Sequence, residues 1–371
     1  MACGAAEPTG PSSIAPDAVQ WQACCVIVRA DLRKLRDGRR VNAAENNISV
    51  APMMDWTDRF DRYFLRRISR HALLYTEMVH AEAVLRGERD HLLRFDPSEH
   101  PVALQLGGCD PISLAEAARI GADYGYDVIN LNVGCPSDRV QSGRFGACLM
   151  ADPELVARCV NAMQKAAPDV PVTVKSRIGI DDQDPHKVLP AFLAMLLEAG
   201  CRHVVIHARK AWLKGLNPKQ NREIPPLDYP LVHAMKQAFP TLHITINGGV
   251  ETLAQANAHL RHVDGVMIGR AAYRNPYLLA PVDREFYGAT TPVPDRGDII
   301  AELVPWADAQ CAGGVPLHRI TRHILGLFQG QPGARIWRRY LSEHAHLPHA
   351  GAEVITEALN RVSDARLARA A

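Results

Sequence analysis

One pattern repeats along the chain from Ile48 onward, and it restricts the possible folds more than any other feature. Each repeat has a short, continuous run of apolar and β-branched residues, a loop with glycine, proline or polar residues, and an amphipathic helical segment. Continuous rather than alternating apolar runs are typical of strands that are buried on both faces of a parallel sheet. The repeat therefore predicts an α/β fold.

The pattern occurs eight times. The predicted strands are Ile48–Met53, Leu73–Met78, Val102–Leu106, Val128–Asn132, Val172–Ser176, His203–His207, His243–Asn247 and Gly265–Ile268. Predicted helices between them include Pro111–Tyr124, Pro153–Ala166, His186–Ala199 and Leu227–Ala238. Eight such units over about 240 residues match a (β/α)8 TIM barrel, which we expect over residues 47–290. An open doubly wound sheet is the alternative, but its glycine-rich fingerprint after the first strand is absent from the sequence.

Composition limits the class of protein. Hydrophobic residues make up 47% of the 371 positions and charged residues 22%, which is ordinary for a globular enzyme. The formal net charge of +2 is small, so any basic surface has to be local. Nine cysteines without CxxC pairs or metal-type spacing indicate reduced thiols, a cytoplasmic location and no metal site. No apolar run reaches the roughly 18 residues of a membrane span.

Residues 1–46 differ from the rest of the chain. Met1 to Pro16 is rich in proline, glycine and serine, and Arg29 to Arg40 is a basic cluster. Acidic residues interrupt the segment, which argues against a transit peptide. Its apolar patch is too short for a secretory signal peptide. We expect a disordered extension there and assign it no function.

The predicted strands end in polar and glycine-rich residues. These ends are Ala51-Pro52-Met53, Gln105-Leu106-Gly107-Gly108, Asn132-Val133-Gly134-Cys135-Pro136, Lys175-Ser176-Arg177, His207-Ala208-Arg209, Asn247-Gly248-Gly249 and Gly269-Arg270. Active sites of TIM barrels lie at the carboxyl ends of the strands, with a phosphate site in the loops after strands seven and eight. The sequence therefore predicts a site at this rim.

The loops after strands seven and eight suit a phosphate. Gly248, Gly249 and Gly269 allow backbone N–H groups to approach an anion, and Arg270 can add a charge-assisted contact. Lys175 and the amide of Gln105 suit the polar edge of a flat heterocycle. One phosphate and one polar-edged ring suggest flavin mononucleotide (FMN).

Taken in order, these strand-end motifs resemble those of the tRNA-dihydrouridine synthases. Two further stretches, His207-Ala208-Arg209-Lys210-Ala211-Trp212-Leu213 and Ile320-Thr321-Arg322-His323, resemble the DusA subgroup, which modifies positions 20 and 20a of the tRNA D-loop. The resemblance covers the chain from about Ile48 to its end. It implies an FMN barrel in which Ala51, Pro52 and Met53 also contact the cofactor. It further implies NADPH as reductant and a helical tRNA-binding domain, expected over residues 291–371.

The implied reaction adds a hydride to C6 of uracil and a proton to C5. An unperturbed thiol, with a pKa of about 8.5, is mostly protonated at neutral pH and can give that proton. Cys135 fits this role, as it does in the family. Asn132 is expected to bond the uracil edge. His207 and Arg209 could either stabilise charge at the uracil carbonyls or hold the flavin, and the sequence leaves both options open.

Two basic stretches are expected to bind RNA. The long loop after strand six carries Lys210, Lys214, Lys219 and Arg222. Near the C-terminus, Arg335, Arg338 and Arg339 have the i, i+3, i+4 spacing of one helix face, and guanidinium groups suit phosphates. Upstream, Arg319, Arg322 and His323 are predicted to point away from the apolar side of their helix.

Two other functions compete with this interpretation. The first is an FMN barrel that reduces a small pyrimidine, in the manner of dihydroorotate dehydrogenases, although a small substrate needs no basic C-terminal helices. The second is a tRNA-binding factor without catalysis, against which Cys135, Lys175 and the phosphate loops argue. In each case we expect a monomer that does not contact a membrane.

Overall fold

The computed structural model describes residues 47–137 and 143–370, together with Met1. The predicted disordered extension over residues 1–46 lies outside the described residues, apart from Met1. The described strands and helices fall within one compact unit.

Eight parallel strands form a closed barrel in which each strand pairs with the next and the last pairs with the first. The strands are β1 (Ile48–Val50), β2 (Leu73–His80), β3 (Val102–Gly107), β4 (Val128–Val133), β5 (Val172–Arg177), β6 (His203–His207), β7 (His243–Asn247) and β8 (Gly265–Ile268). The predicted (β/α)8 fold is confirmed.

The strand boundaries differ from the prediction at the first five strands. β1 ends at Val50 instead of Met53, because the chain turns there: the backbone N–H groups of Trp56 and Thr57 both donate to Met53 O, at 3.1 and 3.0 Å. Proline at position 52 also lacks the N–H that a strand ladder needs. Strands β2 to β5 run one or two residues further than predicted, so Arg177 is a strand residue rather than a loop residue.

Helices alternate with the strands and continue after the barrel. They are α1 (Arg59–Ile68), α2 (Ala81–Arg86), α3 (Arg89–Leu93), α4 (Pro111–Asp123), α5 (Pro153–Ala166), α6 (Pro185–Glu198), α7 (Tyr229–Ala238), α8 (Leu253–Leu260), α9 (Arg270–Arg274), α10 (Val282–Tyr287), α11 (Arg296–Ala312), α12 (His318–Ile324), α13 (Ala334–His344) and α14 (Glu353–Ala370). Helices α4, α5 and α6 each begin with an aspartate cap followed by proline, a residue pair that favours a helix start.

The barrel interior changes from apolar to polar toward the carboxyl ends of the strands. Successive inward positions on β4 are Val128, Asn130 and Asn132, because side chains of a strand alternate between its faces. An apolar cluster that includes Tyr75, Val205 and Met267 fills the lower part. The polar side chains therefore collect at the upper rim.

The helical region packs directly on α1. The ring of Trp306 (α11) stacks on that of Tyr63 with centroids 3.8 Å apart. Helices α13 and α14 pack on each other, and Trp337 is fully buried with its Nε1 donating to Ile324 O at 2.9 Å. None of the described helices has the length and apolar character that a membrane crossing requires.

The prediction for His323 was wrong. Its side chain is buried, with 1% of the residue exposed, and its Nε2 lies 3.1 Å from Asp58 Oδ1 at the start of α1. The periodicity of α12 did place Arg319 and Arg322 on the exposed side. A carboxylate on the neighbouring helix makes it possible to bury an imidazole at a position that the helical pattern marks as exterior.

Candidate active site

Cys135 lies two residues beyond β4 and is held there by the side chain of Asn132. The Oδ1 atom of Asn132 accepts from the backbone N–H groups of Gly134 (3.1 Å) and Cys135 (3.0 Å). The carbonyl of Cys135 accepts from Ala147 N at 2.9 Å. The thiol-bearing residue is partly exposed. Both backbone groups of Cys135 are thus fixed at the end of β4.

A chain of buried amides holds Asn132 in turn. Its Nδ2 donates to Gln105 Oε1, Gln105 Nε2 donates to Asn130 Oδ1, and Asn130 Nδ2 donates to Thr173 Oγ1, each at 2.8 Å. The strand register sets this chain, because Gln105 is aligned with Asn130 and Asn130 with Thr173. An amide nitrogen has two hydrogens, and among the described residues this chain uses one of them on Asn132 and one on Gln105. Their predicted ligand contacts stay predictions.

Lys175 and His207 occupy the neighbouring strand ends. The register aligns Asn132 with Lys175, and His207 with Asn247. Lys175 Nζ donates to Asn247 Oδ1 at 3.1 Å, and Asn247 Nδ2 donates to Met267 O at 2.8 Å. Burial, with the positive charge of Arg177 as the next cause, lowers the pKa of Lys175 to about 7.

The imidazole of His207 is uncharged. Burial, followed by the charges of Arg177 and Lys175, lowers its pKa well below the usual value. Its Nδ1 is buried and has no hydrogen-bond partner among the described residues. A buried, unpaired ring nitrogen at a strand end indicates a place for a ligand group.

The loop after β7 approaches the imidazole closely. A Cβ atom added at Gly248 would lie 3.0 Å from His207 Cε1, and one at Gly249 would lie 2.6 Å from the Tyr229 hydroxyl. Both glycines have positive φ angles, +110° and +73°. The Tyr229 hydroxyl donates to Gly248 O at 2.7 Å and fixes the turn. The turn thus depends on two glycines and one tyrosine.

The remaining predicted cofactor residues lie on the same rim. Ala51 N continues the β1 ladder by donating to Ile268 O at 2.8 Å, and an added Cβ at Gly269 would lie 3.8 Å from that of Ala51. Pro52 and Met53 follow in the turn after β1 and are partly buried. Arg270 begins α9, and its Nη1 lies 2.8 Å from Glu223 Oε1.

Positive charge dominates the rim. Arg177 and Arg209 lower the pKa of His207, and Arg270 lowers the pKa values of Arg209 and Arg222. For both of these arginines burial is the largest cause. Groups that repel one another in this way favour an anion among them.

The predicted RNA-binding residues fall into two groups. Arg209, Lys219 and Arg222 lie on the loop after β6; Arg209 Nη1 donates to Pro225 O, and the other two side chains are exposed. Arg335, Arg338 and Arg339 are all exposed on α13, as predicted. A cavity of about 790 Å³ has Arg338 of the second group in its lining but no residue of the first group; its other charged lining residues are Arg270, Arg274, Arg322, Glu223 and Glu251. Arg335 and Arg339 are not in that lining.

The sequence of the whole barrel and helical region matches one family model. The model, described as dihydrouridine synthase (Dus), covers residues 49–363. The chain belongs to the dihydrouridine synthase family. It is therefore an oxidoreductase of that family.

Curated relatives of this dihydrouridine synthase are similar over nearly their full length. The tRNA-dihydrouridine(20/20a) synthase of Vibrio parahaemolyticus is 58% identical over 85% of this chain and 96% of that protein. Proteins of the same name from Synechocystis sp. and Escherichia coli K12 are 59% and 56% identical, covering 85% and 86% of this chain and 94% and 92% of theirs. Among solved structures, an old yellow enzyme homologue from Zymomonas mobilis aligns with a TM-score of 0.47 and 14% identity, over 69% of this chain and 92% of that one.

The structure gives a role to Arg177, which stands in a predicted strand-end motif but was assigned no role from the sequence. Arg177 is buried, with 4% exposed, and donates from Nε to Gly134 O (3.0 Å) and from Nη1 to Lys210 O (2.9 Å) and Asn221 O (3.0 Å). It thereby ties the Cys135 loop to the loop after β6. Its position two residues after Lys175, hence on the same strand face, was the available signal.

Proposed function

We propose that this dihydrouridine synthase reduces the 5,6-double bond of uridines 20 and 20a in the tRNA D-loop, with FMN as cofactor and NADPH as reductant. The relatives' name, tRNA-dihydrouridine(20/20a) synthase, supports the substrate. The observation that carries the chemistry is the position of Cys135, held by Asn132 beside the strand ends of Lys175 and His207.

The residues present fit FMN. The buried, unpaired Nδ1 of His207 and the partly buried ammonium of Lys175 suit the polar edge of a flavin ring. The two positive-φ glycines after β7 and the mutually repelling arginines suit a phosphate. The residues proposed to hold the cofactor are Ala51, Pro52, Met53, Gln105, Lys175, His207, Asn247, Gly248, Gly249, Gly269 and Arg270.

When bound and reduced, FMN supplies the hydride for C6 of the uracil. Cys135 supplies the proton for C5 from its thiol. The guanidinium of Arg177, which donates from Nε to Gly134 O, lies beside the loop that carries this thiol. The second Nδ2 hydrogen of Asn132 remains for a uracil carbonyl.

A uridine inside folded tRNA has to leave its stack to reach this rim. The basic loop after β6 (Arg209, Lys219, Arg222) and the arginines of α13 (Arg335, Arg338, Arg339) are proposed to hold the surrounding RNA backbone. The cavity that joins Arg270 to Arg338 supports one continuous RNA-binding face. Residues 291–371 would then be the tRNA-binding domain and residues 47–290 the catalytic domain of a cytoplasmic monomer.

The proposal is tested by supplying the purified holoenzyme with NADPH and one of three acceptors: unmodified tRNA, free uridine or orotate. We expect dihydrouridine at positions 20 and 20a, mapped by mass spectrometry of nuclease digests, and no turnover of the small pyrimidines. Reduction of orotate without reduction of tRNA would favour the dihydroorotate dehydrogenase-like alternative. Binding of tRNA without any reduction would favour the non-catalytic factor.

A further inference from the structure

The segment Lys210–Leu213, which begins the loop after β6, is anchored at nearly every backbone group. Lys210 O accepts from Arg177, Ala211 N donates to Gly179 O (3.0 Å), and Ala211 O accepts from Asp181 N (2.8 Å). Trp212 N donates to Asn221 Oδ1 (2.8 Å) and Trp212 O accepts from Asn221 Nδ2 (2.9 Å). Leu213 N donates to Asp181 Oδ1 at 2.8 Å.

This anchoring is unusual for a loop at a barrel rim. Surface loops are normally mobile, and fixing each residue costs backbone entropy. The anchors here are themselves rigid, since Asn221 is fully buried and Arg177 is 4% exposed. The segment is thus part of the scaffold, although it carries solvent-facing side chains.

The most prominent of these side chains is Trp212. It is 37% exposed, and the ammonium of Lys210 lies 5.4 Å from its ring centroid. Lys214, Lys219 and Arg222 are exposed on the same loop. Of the nearby carboxylates, Asp181 is bonded to Leu213 N and Glu223 is paired with Arg270. The loop that carries the ring is therefore rich in cations, and one of them, Lys210, lies at the ring.

A single exposed aromatic residue needs no functional explanation by itself. Trp212 differs because both its backbone groups are bonded to one buried asparagine, which fixes where the ring is presented. A rigid aromatic face among cations is the arrangement with which proteins stack unpaired bases of RNA. We propose that Trp212 is a stacking platform for a nucleobase of the tRNA next to the uridine that is reduced, an inference that rests on the proposed function.

The position of the platform relative to Cys135 follows from Arg177. The same guanidinium donates to Gly134 O, beside Cys135, and to Lys210 O, two residues before Trp212. A base stacked on Trp212 would therefore be held on the same rigid support as the thiol. In this way the platform would set which nucleotide reaches the pocket and would not take part in the chemistry.

The test compares Trp212→Phe, Trp212→Leu and Trp212→Ala in the flavin-loaded enzyme, with Ile224→Ala as a matched control. Ile224 is 60% exposed on the same loop and offers apolar area without an aromatic face. The readouts are tRNA affinity by filter binding, the KM and kcat for tRNA, flavin content and the melting temperature. Losing a stacked base is expected to weaken tRNA binding about 10- to 100-fold in the Leu and Ala variants. The Phe variant and the Ile224→Ala control should stay close to wild type.

The Leu and Phe variants decide the outcome even where the Ala variant does not fold, because both are large and apolar and only one can stack. Equal tRNA affinity in the Leu variant, the Phe variant and wild type would overturn the platform. A wild-type enzyme that neither binds nor reduces tRNA would overturn the proposed function itself, and the platform with it.

Discussion

Lys175 Nζ lies 3.1 Å from Asn247 Oδ1, which links β5 to β7 across the end of β6. The acceptor is a neutral amide, so this contact does not neutralise the ammonium group. Burial lowers the pKa of Lys175 to about 7. In the absence of an anion, the lysine is therefore largely deprotonated at pH 8.

Cofactor binding is expected to protonate Lys175. The hydrogen-bond acceptor atoms of a flavin ring beside this amine favour its charged form and raise its pKa, so at pH 8 the protein should take up a fraction of a proton as FMN binds. FMN affinity should accordingly fall as pH rises above 7. Calorimetric titration of the apoprotein in buffers of different ionisation enthalpy measures the uptake. In Lys175→Met the uptake should disappear, and equal uptake in both proteins would contradict the assignment.

Replacing Cys135 by alanine is expected to abolish dihydrouridine formation, because the proton for C5 then has no donor. FMN content and flavin reduction by NADPH should persist, since the cofactor residues lie on other strands. Mass spectrometry of the tRNA product and flavin absorbance measure the two effects. Cys109→Ala, which removes another partly exposed thiol, is the control and should keep its activity. Near-normal product from Cys135→Ala would remove this cysteine from the mechanism.

Asn132→Ala is expected to lower kcat by a larger factor than it lowers the flavin content. The substitution leaves the N–H groups of Gly134 and Cys135 without their acceptor, at a cost of about 1–3 kcal/mol in stability, and releases the loop. Single-turnover reduction of tRNA, started from reduced enzyme, isolates this step. A variant with a wild-type rate would show that the amide chain is not needed to place the thiol.

Gly249→Ala is expected to lose flavin. The new methyl group would lie 2.6 Å from the Tyr229 hydroxyl at a backbone φ of +73°. Gly215→Ala separates crowding from backbone strain, because Gly215 has a φ of +84° and no atom within 4 Å of the added Cβ. Only the first variant should purify without bound flavin, as judged by its absorbance. Equal flavin loss in both would argue against a cofactor site at the β7 turn.

Two neighbouring aspartates are expected to affect stability in opposite directions. Burial, with the charge of Asp58 next, raises the pKa of Asp61 well above its usual value, and neither carboxylate oxygen has a hydrogen-bond partner within the described structure. The folded state therefore binds a proton that the unfolded state releases, and stability falls as pH rises. The neutral amide of an asparagine resembles the protonated acid, so Asp61→Asn should raise the melting temperature at pH 8 and change it little at pH 4.

Asp58 behaves in the opposite way. Burial raises the pKa of Asp58, but the contacts with His323, the backbone N–H of Asp61 and Arg322 together outweigh it, so the pKa is lowered to about 2. Its contribution to stability is present above its ordinary pKa of 3.8 and is lost as pH falls toward 2. Losing its charge-assisted bonds in Asp58→Asn should cost about 1.5–3 kcal/mol at neutral pH. Thermal unfolding at several pH values tests both variants, and shifts of equal sign would contradict the opposite pKa shifts of Asp61 and Asp58.

The barrel could be predicted from the sequence because each strand is a local apolar run and each main helix begins with a local signal. Asp152-Pro153 marks the start of α5 in two residues, and no distant contact is needed to interpret it. The end of β1 could not be placed, because it depends on the Met53 turn. The helical pattern also gave the wrong prediction of exposure for His323, because its partner Asp58 lies far away in the sequence, at the start of α1.

The candidate site, like the barrel, could be predicted where local motifs indicate it and not where it depends on distant contacts. Cys135, Lys175 and the β7 glycines stand in strand-end motifs that the barrel brings together. Tyr229 and Asn221 carry no such motif; their roles come from single contacts with Gly248 and Trp212 that only folding creates. Residue type and spacing therefore indicated candidate ligand-facing groups but not the groups that hold them in place.

The amide chain from Thr173 to Asn132 limits how this barrel could be redesigned. A protein engineer who refilled the centre of the barrel with well-packed aliphatic residues would remove Gln105 and Asn130, the two links on which Asn132 depends. The repacked barrel, although more stable, would then hold the thiol of Cys135 in the wrong place. Transplanting the Cys135 loop onto another TIM barrel would fail for the same reason. The recipient would also need amides at the equivalent inward positions of two adjacent strands.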